Sequence, residues 1–275
     1  MQTKRFTLPL IPILLISLVC FSIPVLAAGH APVWQSAISK PAQPSLKHTA
    51  DYQHALFQYF LDNSLRGKGK KTFDKVSKHV KNNITWQNSK GGNAYNAAYQ
   101  RAFPFVKNHD LQGMPDIVLL IPYLESQWHG KRGDPAGDYG YWQMVPEVVA
   151  EIRTLDHAPA AIKKANPNKI RANATLSTQA AQLHLRRYYF YFAKVAGYPE
   201  TDAWLLAISA YNWGAGNVKR LLASLESKGI KANYSNFYHA LYKLQQATPN
   251  DISLRAAVEY VPNLWNIAQL LKAAN

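Results

Sequence analysis

Residues 115–128 read Pro115-Asp116-Ile117-Val118-Leu119-Leu120-Ile121-Pro122-Tyr123-Leu124-Glu125-Ser126-Gln127-Trp128. Ile117, Leu120, Ile121 and Leu124 recur at i, i+3, i+4 and i+7, the spacing that lays one apolar stripe along a helix. Asp116, just before the stripe, is placed to cap that helix. Pro122 then falls in the helix interior, where it costs about 3 kcal/mol unless its surroundings offset it. Glu125 follows at the edge of the apolar face. A carboxyl group there is partly withdrawn from water, which raises its pKa and keeps it protonated near neutral pH. An exposed glutamate at a helix end has the same local sequence, so the neighbouring segments decide between the two.

Outward from this helix the chain stays helical. Ser177 to Ala196, Ala203 to Ala210, Val218 to Leu225, Phe237 to Gln246 and Leu264 to Ala273 are further helical runs. Alternating strand-like segments are scarce, and neither a heptad array nor an internal repeat is present. The expected fold class is mainly α. Upstream, Ala55, Leu56, Phe57, Tyr59, Phe60 and Leu61 predict a first helix beginning near Asp51. Arg66-Gly67-Lys68-Gly69-Lys70-Lys71 follows, and its glycines and like charges predict an exposed basic loop. Residues 72–110 are polar and basic with scattered aromatics, broken at Gly91-Gly92, and read as short, loosely connected helices. Residues 28–49, with Pro32, Pro41 and Pro44, read as an extended lead-in with little packing.

The first residues follow the order of a secretory signal peptide: Lys4 and Arg5, an apolar run from Phe6 to Leu26, then the small residues Ala27, Ala28 and Gly29. Val25 and Ala27 suit the −3 and −1 positions, which predicts cleavage after residue 27 and an exported, periplasmic location. A retained anchor is the alternative, weakened by Pro9, Pro12 and Pro24. The single cysteine, Cys20, lies in this leader, so the stability of the exported chain must come from its core. The remainder is long enough for one sizeable domain with a helical extension. A formal net charge of +15 favours a polyanionic partner, and export turns that expectation from nucleic acid toward anionic wall polymer or a phospholipid surface.

After Trp128 comes a glycine-rich turn from Gly130 to Gly140, then Tyr141-Trp142-Gln143-Met144-Val145-Pro146. Ala210-Tyr211-Asn212-Trp213-Gly214-Ala215-Gly216 and Tyr260-Val261-Pro262 stand further downstream. IPYLESQW resembles the LPxxES helix of lytic murein transglycosylases, and GYWQMVP resembles their turn around a Gln. AYNWGAG resembles their A-Y-N-x-G-x-G segment, and EYVP their terminal Y-V-P. Four motifs in the right order make a specific signal where any one alone is weak. The proline before the catalytic turn and the Trp-Gln pair look most like the membrane-bound type D branch. The resemblance covers residues 115–275.

This resemblance implies a lysozyme-like helical catalytic domain over residues 113–275, preceded by a linker and helical extension over 28–112 and the leader over 1–27. It implies cleavage of the β-1,4 bond between N-acetylmuramic acid and N-acetylglucosamine in peptidoglycan strands, leaving a 1,6-anhydromuramic acid end. Glu125 would be the catalytic acid and then base. Ser126, Gln143, Tyr211, Asn212 and Tyr260 would bind or orient the substrate. Each has a structural reading as well: Tyr211 and Trp142 can fill core, Asn212 can cap a helix, and Gly137 and Gly140 can simply permit a tight turn. Asp134 and Asp138 are turn formers or, if one stood across the cleft, the second carboxylate of a hydrolytic muramidase. A catalytically silent wall-binding protein is the rival from outside the enzymes.

No metal or cofactor is expected. HExxH, Walker A and GxSxG motifs are absent, and Gly214-Ala215-Gly216 lacks the third glycine and the strand of a dinucleotide site. No nucleic-acid-binding motif accompanies the charge. Two departures from the family pattern stand out. Ala256 and Ala257 occupy the places where a Glu-Thr pair is common, and the glycine turn carries Lys131 and Arg132.

Overall fold

The computed structural model describes residues 32–84 and 94–275 in full, together with the helical backbone of residues 85–90. The expected leader, its anchor alternative and the Gly91-Gly92 break lie outside the described residues. The chain is mainly α. In order it forms α1 (Val33–Ala37), α2 (Leu46–Ser64), α3 (Gly67–Lys90), α4 (Ala94–Val106), a 3-10 turn (Asp116–Leu120) and α5 (Ile121–Ser126). There follow α6 (Pro146–Arg153), α7 (Ala160–Lys164), α8 (Pro167–Ala172), α9 (Ala174–Phe190) with a π turn (Tyr191–Val195), α10 (Glu200–Trp213), α11 (Ala215–Ser227), α12 (Tyr234–Ala247) and α13 (Ile252–Ala274). No strand forms among the described residues. Isolated antiparallel bridges pair Gly133 with Tyr139 and Tyr139 with Met144 inside the glycine turn.

The spine of the fold is α13, which packs against α2, α3, α4, α5, α10 and α12. Its buried face includes Leu254, Val258, Tyr260, Val261, Leu264, Ile267 and Leu271. Pro262 sits inside it and offers no N–H, so the Val258 carbonyl four residues back has no partner within the helix. The Tyr238 hydroxyl of α12 donates to that carbonyl at 2.8 Å, which satisfies the acceptor and fixes α12 against α13. Beside this spine runs α10, buried along every residue from Asp202 to Ala210, as a helix apolar on all sides must be. Residues 31–275 make one compact unit, with the helices preceding residue 113 packed into the same core.

Several local expectations are corrected. The basic run at 66–71 is the start of α3, a 24-residue helix, not a loop. Gly69 explains why: a Cβ there would lie 2.2 Å from Ser235 Oγ, so the glycine permits close approach to α12 and breaks no helix. Residues 72–90 and 94–106 likewise form the body of α3 and then α4, longer helices than the polar composition suggested. The lead-in is packed as well. Trp34 is buried, its Nε1 donates to Glu200 Oε1 at 3.1 Å, and Lys40 pairs with Asp116 at 3.1 Å. Asp116 is therefore a buried ion-pair partner and caps nothing, the cap position being held by Pro115. Pro122 falls in the first turn of α5, where its missing N–H breaks no bond, so the expected interior penalty does not arise.

Candidate active site

The C-terminal end of α5 is tightly constrained. Gln127 and Trp128 both take left-handed backbone angles, φ 50° and 59°, and turn the chain sharply out of the helix. Ser126 is wholly buried behind that turn. Its hydroxyl donates to Tyr141 O at 2.8 Å and accepts from His129 N at 3.2 Å, which ties α5 to the far side of the glycine turn. Ser126 is closed off from solvent and holds α5 against the glycine turn from behind Glu125.

Glu125 lies one residue before Ser126, half-buried at the edge of the core. The Tyr260 hydroxyl, carried by α13, donates to Glu125 Oε1 at 2.5 Å. Burial pushes the Glu125 carboxyl up to about 7, against the lowering effect of the Tyr260 bond and with help from the nearby negative charge of Asp138. Near neutral pH this carboxyl is therefore divided between its acid and its base forms. Tyr211 and Tyr260 have pKa values pushed far up, first by burial and then by the charge of Glu125, so both phenols stay protonated donors. Tyr211, on the last turn of α10, donates to Trp142 O at 2.6 Å and meets the Trp142 ring edge-on. Glu125, Tyr211 and Tyr260 thus converge from α5, α10 and α13.

Two other predicted residues behave differently. Gln143, at φ 47°, donates its amide to Gly140 O at 2.7 Å and Arg132 O at 2.9 Å. These bonds lock the glycine turn, and Gln143 makes no hydrogen bond to Glu125 among the described residues. Asn212 is exposed within α10, makes no side-chain hydrogen bond among the described residues and caps no helix. It remains open to a ligand. Asp134 is a turn former: its side chain accepts from Ala136 N at 2.9 Å and its own N–H donates to Asp138 O at 2.9 Å. The Asp138 carboxylate is exposed and close enough to raise the Glu125 pKa.

Sequence reasoning missed Arg171. Its guanidinium is buried, and it donates to Gly137 O at 2.7 Å, Met144 O at 3.0 Å, Pro135 O at 2.5 Å and Asn168 Oδ1 at 2.5 Å. The fork gathers both arms of the glycine turn onto α8. Gly140 completes the join, since a Cβ there would lie 2.0 Å from Arg171 O at φ 85°. No motif marks this arginine. The only available signal was a turn with several carbonyls and too few donors of its own. Among the described residues no cluster of three His, Cys, Asp or Glu side chains could hold a metal ion.

Residues 105–234 match the family described as Transglycosylase SLT domain. The match contains Glu125, Ser126, Gln143, Tyr211 and Asn212 and ends before Tyr260. Two curated relatives, both named membrane-bound lytic murein transglycosylase D, come from Escherichia coli K12 and Escherichia coli O6:H1. Each is 23% identical over 161 residues, covering 58% of this chain and 29% of the relative. The chain therefore matches less than a third of those relatives' length. Residues 105–234 are thus similar to the SLT domain, and three of the four motifs that carry the resemblance, those at Glu125, Gln143 and Asn212, lie inside the match.

Proposed function

We propose that this chain, with its SLT domain over residues 105–234, is a peptidoglycan lytic transglycosylase in which Glu125 is the single catalytic acid and base. The observation that carries the reading is the pairing of a carboxyl raised to about 7 with a phenol 2.5 Å away on a separate helix. A protonated Glu125 donates to the glycosidic oxygen between N-acetylmuramic acid and N-acetylglucosamine, and the bond breaks through an oxocarbenium-like state. The resulting carboxylate then takes the proton from the sugar's own C6 hydroxyl as that oxygen closes the 1,6-anhydro ring. Proton and oxygen both come from the substrate, so no water is consumed and no second carboxylate is needed. Tyr260 stabilises the carboxylate between the two transfers by donating its hydrogen bond to the charged form.

In this reading Asn212 and Tyr211 face the sugar, while Ser126, Gln143 and Arg171 hold the backbone that positions Glu125. Residues 113–275 are the catalytic domain, residues 28–112 a linker and helical extension whose α2, α3 and α4 pack against α13, and residues 1–27 a leader that exports the protein to the periplasm. No helix among the described residues is long and apolar enough to cross a membrane. A second reading, hydrolysis by a muramidase of the same fold, is favoured by one observation, the nearness of Asp138 to Glu125. Clearing of purified sacculi by the wild-type protein and by Glu125→Gln tests the role of the acid. The variant retains its fold and clears nothing. Clearing at near wild-type rate by Glu125→Gln would remove Glu125 from the chemistry.

A further inference from the structure

Behind the spine helix, on the side away from Glu125, lies a cleft that the chemistry above does not use. α3 and α12 run side by side in parallel. Ser235 Oγ donates to Arg66 O at 2.7 Å, Thr72 Oγ1 lies 2.9 Å from His239 Nδ1, and Lys75 Nζ donates to the Tyr242 hydroxyl at 2.9 Å. Beyond Tyr242 the two helices and the first half of α13 enclose a cavity of about 260 Å³, whose lining includes Lys75, His79, Tyr242, Gln245, Arg255 and Glu259. At 3.6 residues per turn, Arg255 and Val258 project from the opposite side of α13 to Tyr260.

The charge around this cleft is strongly one-sided. Lys68, Lys71, Lys75 and Lys78 recur every three or four residues along the exposed face of α3. The acid beside them, Asp74, is already held by Lys70 at 2.6 Å. Lys243 adds charge from α12. His79, Arg255 and Glu259 enter no ion pair among the described residues. The lining thus offers cations, two amides (Gln245 and Gln246), one phenol and a single acid. Such a mixture suits a ligand that has carboxylates and amide groups together. The volume lies below the 300–1,000 Å³ or so of a pocket for a complete small ligand, so it admits a portion of a larger one.

We propose that this cleft binds an acidic peptide, and, resting on the function proposed above, that the peptide is the carboxylate-bearing stem attached to the glycan strand. Arg255 and Lys75 take its carboxylates, Gln245 and the Tyr242 hydroxyl its amide groups, and Glu259 an amine. The cations line a concave cleft with an acid among them, which favours a peptide over a flat anionic lipid surface. Leu244 and Ile252 are exposed at the α12–α13 turn, so lipid is included in the test.

The test uses Glu125→Gln protein, so that nothing is digested, and measures co-sedimentation with intact sacculi. Adding Lys75→Gln and Arg255→Gln weakens binding about tenfold, the loss of two solvent-exposed charge-assisted contacts. Sacculi whose carboxylates are amidated with carbodiimide and glycine amide bind the parent as weakly as untreated sacculi bind the variant. Lys75→Arg with Arg255→Lys, which keeps both charges, restores most of the binding and shows that the neutral variant is not simply unfolded. Undiminished binding by the neutral variant, indifference to amidation, or a loss that appears only on phosphatidylglycerol vesicles would overturn the proposal. Digestion of intact, stem-bearing sacculi by the wild-type protein is read separately. Failure there contradicts the catalytic reading and leaves the binding result standing.

Discussion

Tyr260 and Glu125 are 135 residues apart in the chain, yet the tyrosine hydroxyl donates a 2.5 Å hydrogen bond to the glutamate Oε1. The two act on the carboxyl in opposite directions: burial raises its pKa to about 7 and the tyrosine holds it lower than burial alone would. Proton donation needs the first effect and proton recovery the second.

Removing that hydrogen bond therefore has a definite sign. Tyr260→Phe deprives the carboxylate of its donor, and the Glu125 pKa climbs further. A bond to a charged group is worth about 1.5–3 kcal/mol, so the alkaline limb of the kcat/KM profile moves up by about one pH unit or more. The maximal rate falls, because the base form is less well stabilised. An unmoved limb, or one displaced to lower pH, would contradict the assigned contact.

Stability follows from the same carboxyl. Its folded pKa of about 7 lies above the reference value of 4.5, so the protonated form is the one that folding favours. That contribution is complete below about pH 4.5 and is lost as the pH rises to about 7. Above that, the buried charge costs on the order of 3 kcal/mol. Glu125→Gln has no proton to lose, and it melts above the wild type at pH 8 but level with it at pH 4. Equal melting temperatures at both pH values would show that the carboxyl is not desolvated.

Arg171 makes the glycine turn a rigid part of the site. Arg171→Met leaves the carbonyls of Pro135, Gly137 and Met144 without their donor. A loss of about 3 kcal/mol is expected, which lowers Tm by about 6–12 °C in a chain of this size. Arg171→Lys keeps the charge but not the planar fork and recovers part of the loss. Gly140→Ala destabilises comparably, because its Cβ meets the Arg171 carbonyl. Calorimetry of the three variants checks the order, and an unchanged Tm for Arg171→Met would refute it.

The parts of this molecule that were legible in its sequence are those set by local pattern. The apolar stripe from Ile117 to Leu124 placed Glu125 at the edge of a core, and the helical runs from Ser177 onward are the helices α9 to α13. The misses share a cause: each residue's role is decided by a partner distant in the chain. Gly69 looked like a helix breaker because its reason is Ser235, which lies alongside only in the folded α3–α12 pair. Asp116 looked like a cap because Lys40, its partner, came from a segment read as unpacked. Arg171 drew no reading at all, since nothing in its sequence neighbourhood reveals the carbonyls it gathers. Pro122 was read as a helix-interior residue, because the 3-10 turn before it is indistinguishable by periodicity from the start of the same helix.

Asp138 separates the two catalytic readings by mutation. Its negative charge raises the Glu125 pKa, so Asp138→Asn lowers that pKa slightly and moves the alkaline limb down. Activity stays within about threefold of the wild type, as expected where a neighbouring charge contributes less than 1 kcal/mol. Loss of several orders of magnitude would identify Asp138 as a second catalytic carboxylate.

The most direct measurement is the chemistry of the ends. Purified protein is incubated with sacculi, and the released muropeptides are separated and weighed by mass spectrometry. A single Glu125 acting as acid and then base predicts 1,6-anhydromuramic acid ends, lighter by one water than reducing ends, from the wild type and none from Glu125→Gln. Reducing muramic acid ends as the main product would show that water is the acceptor and contradict the account.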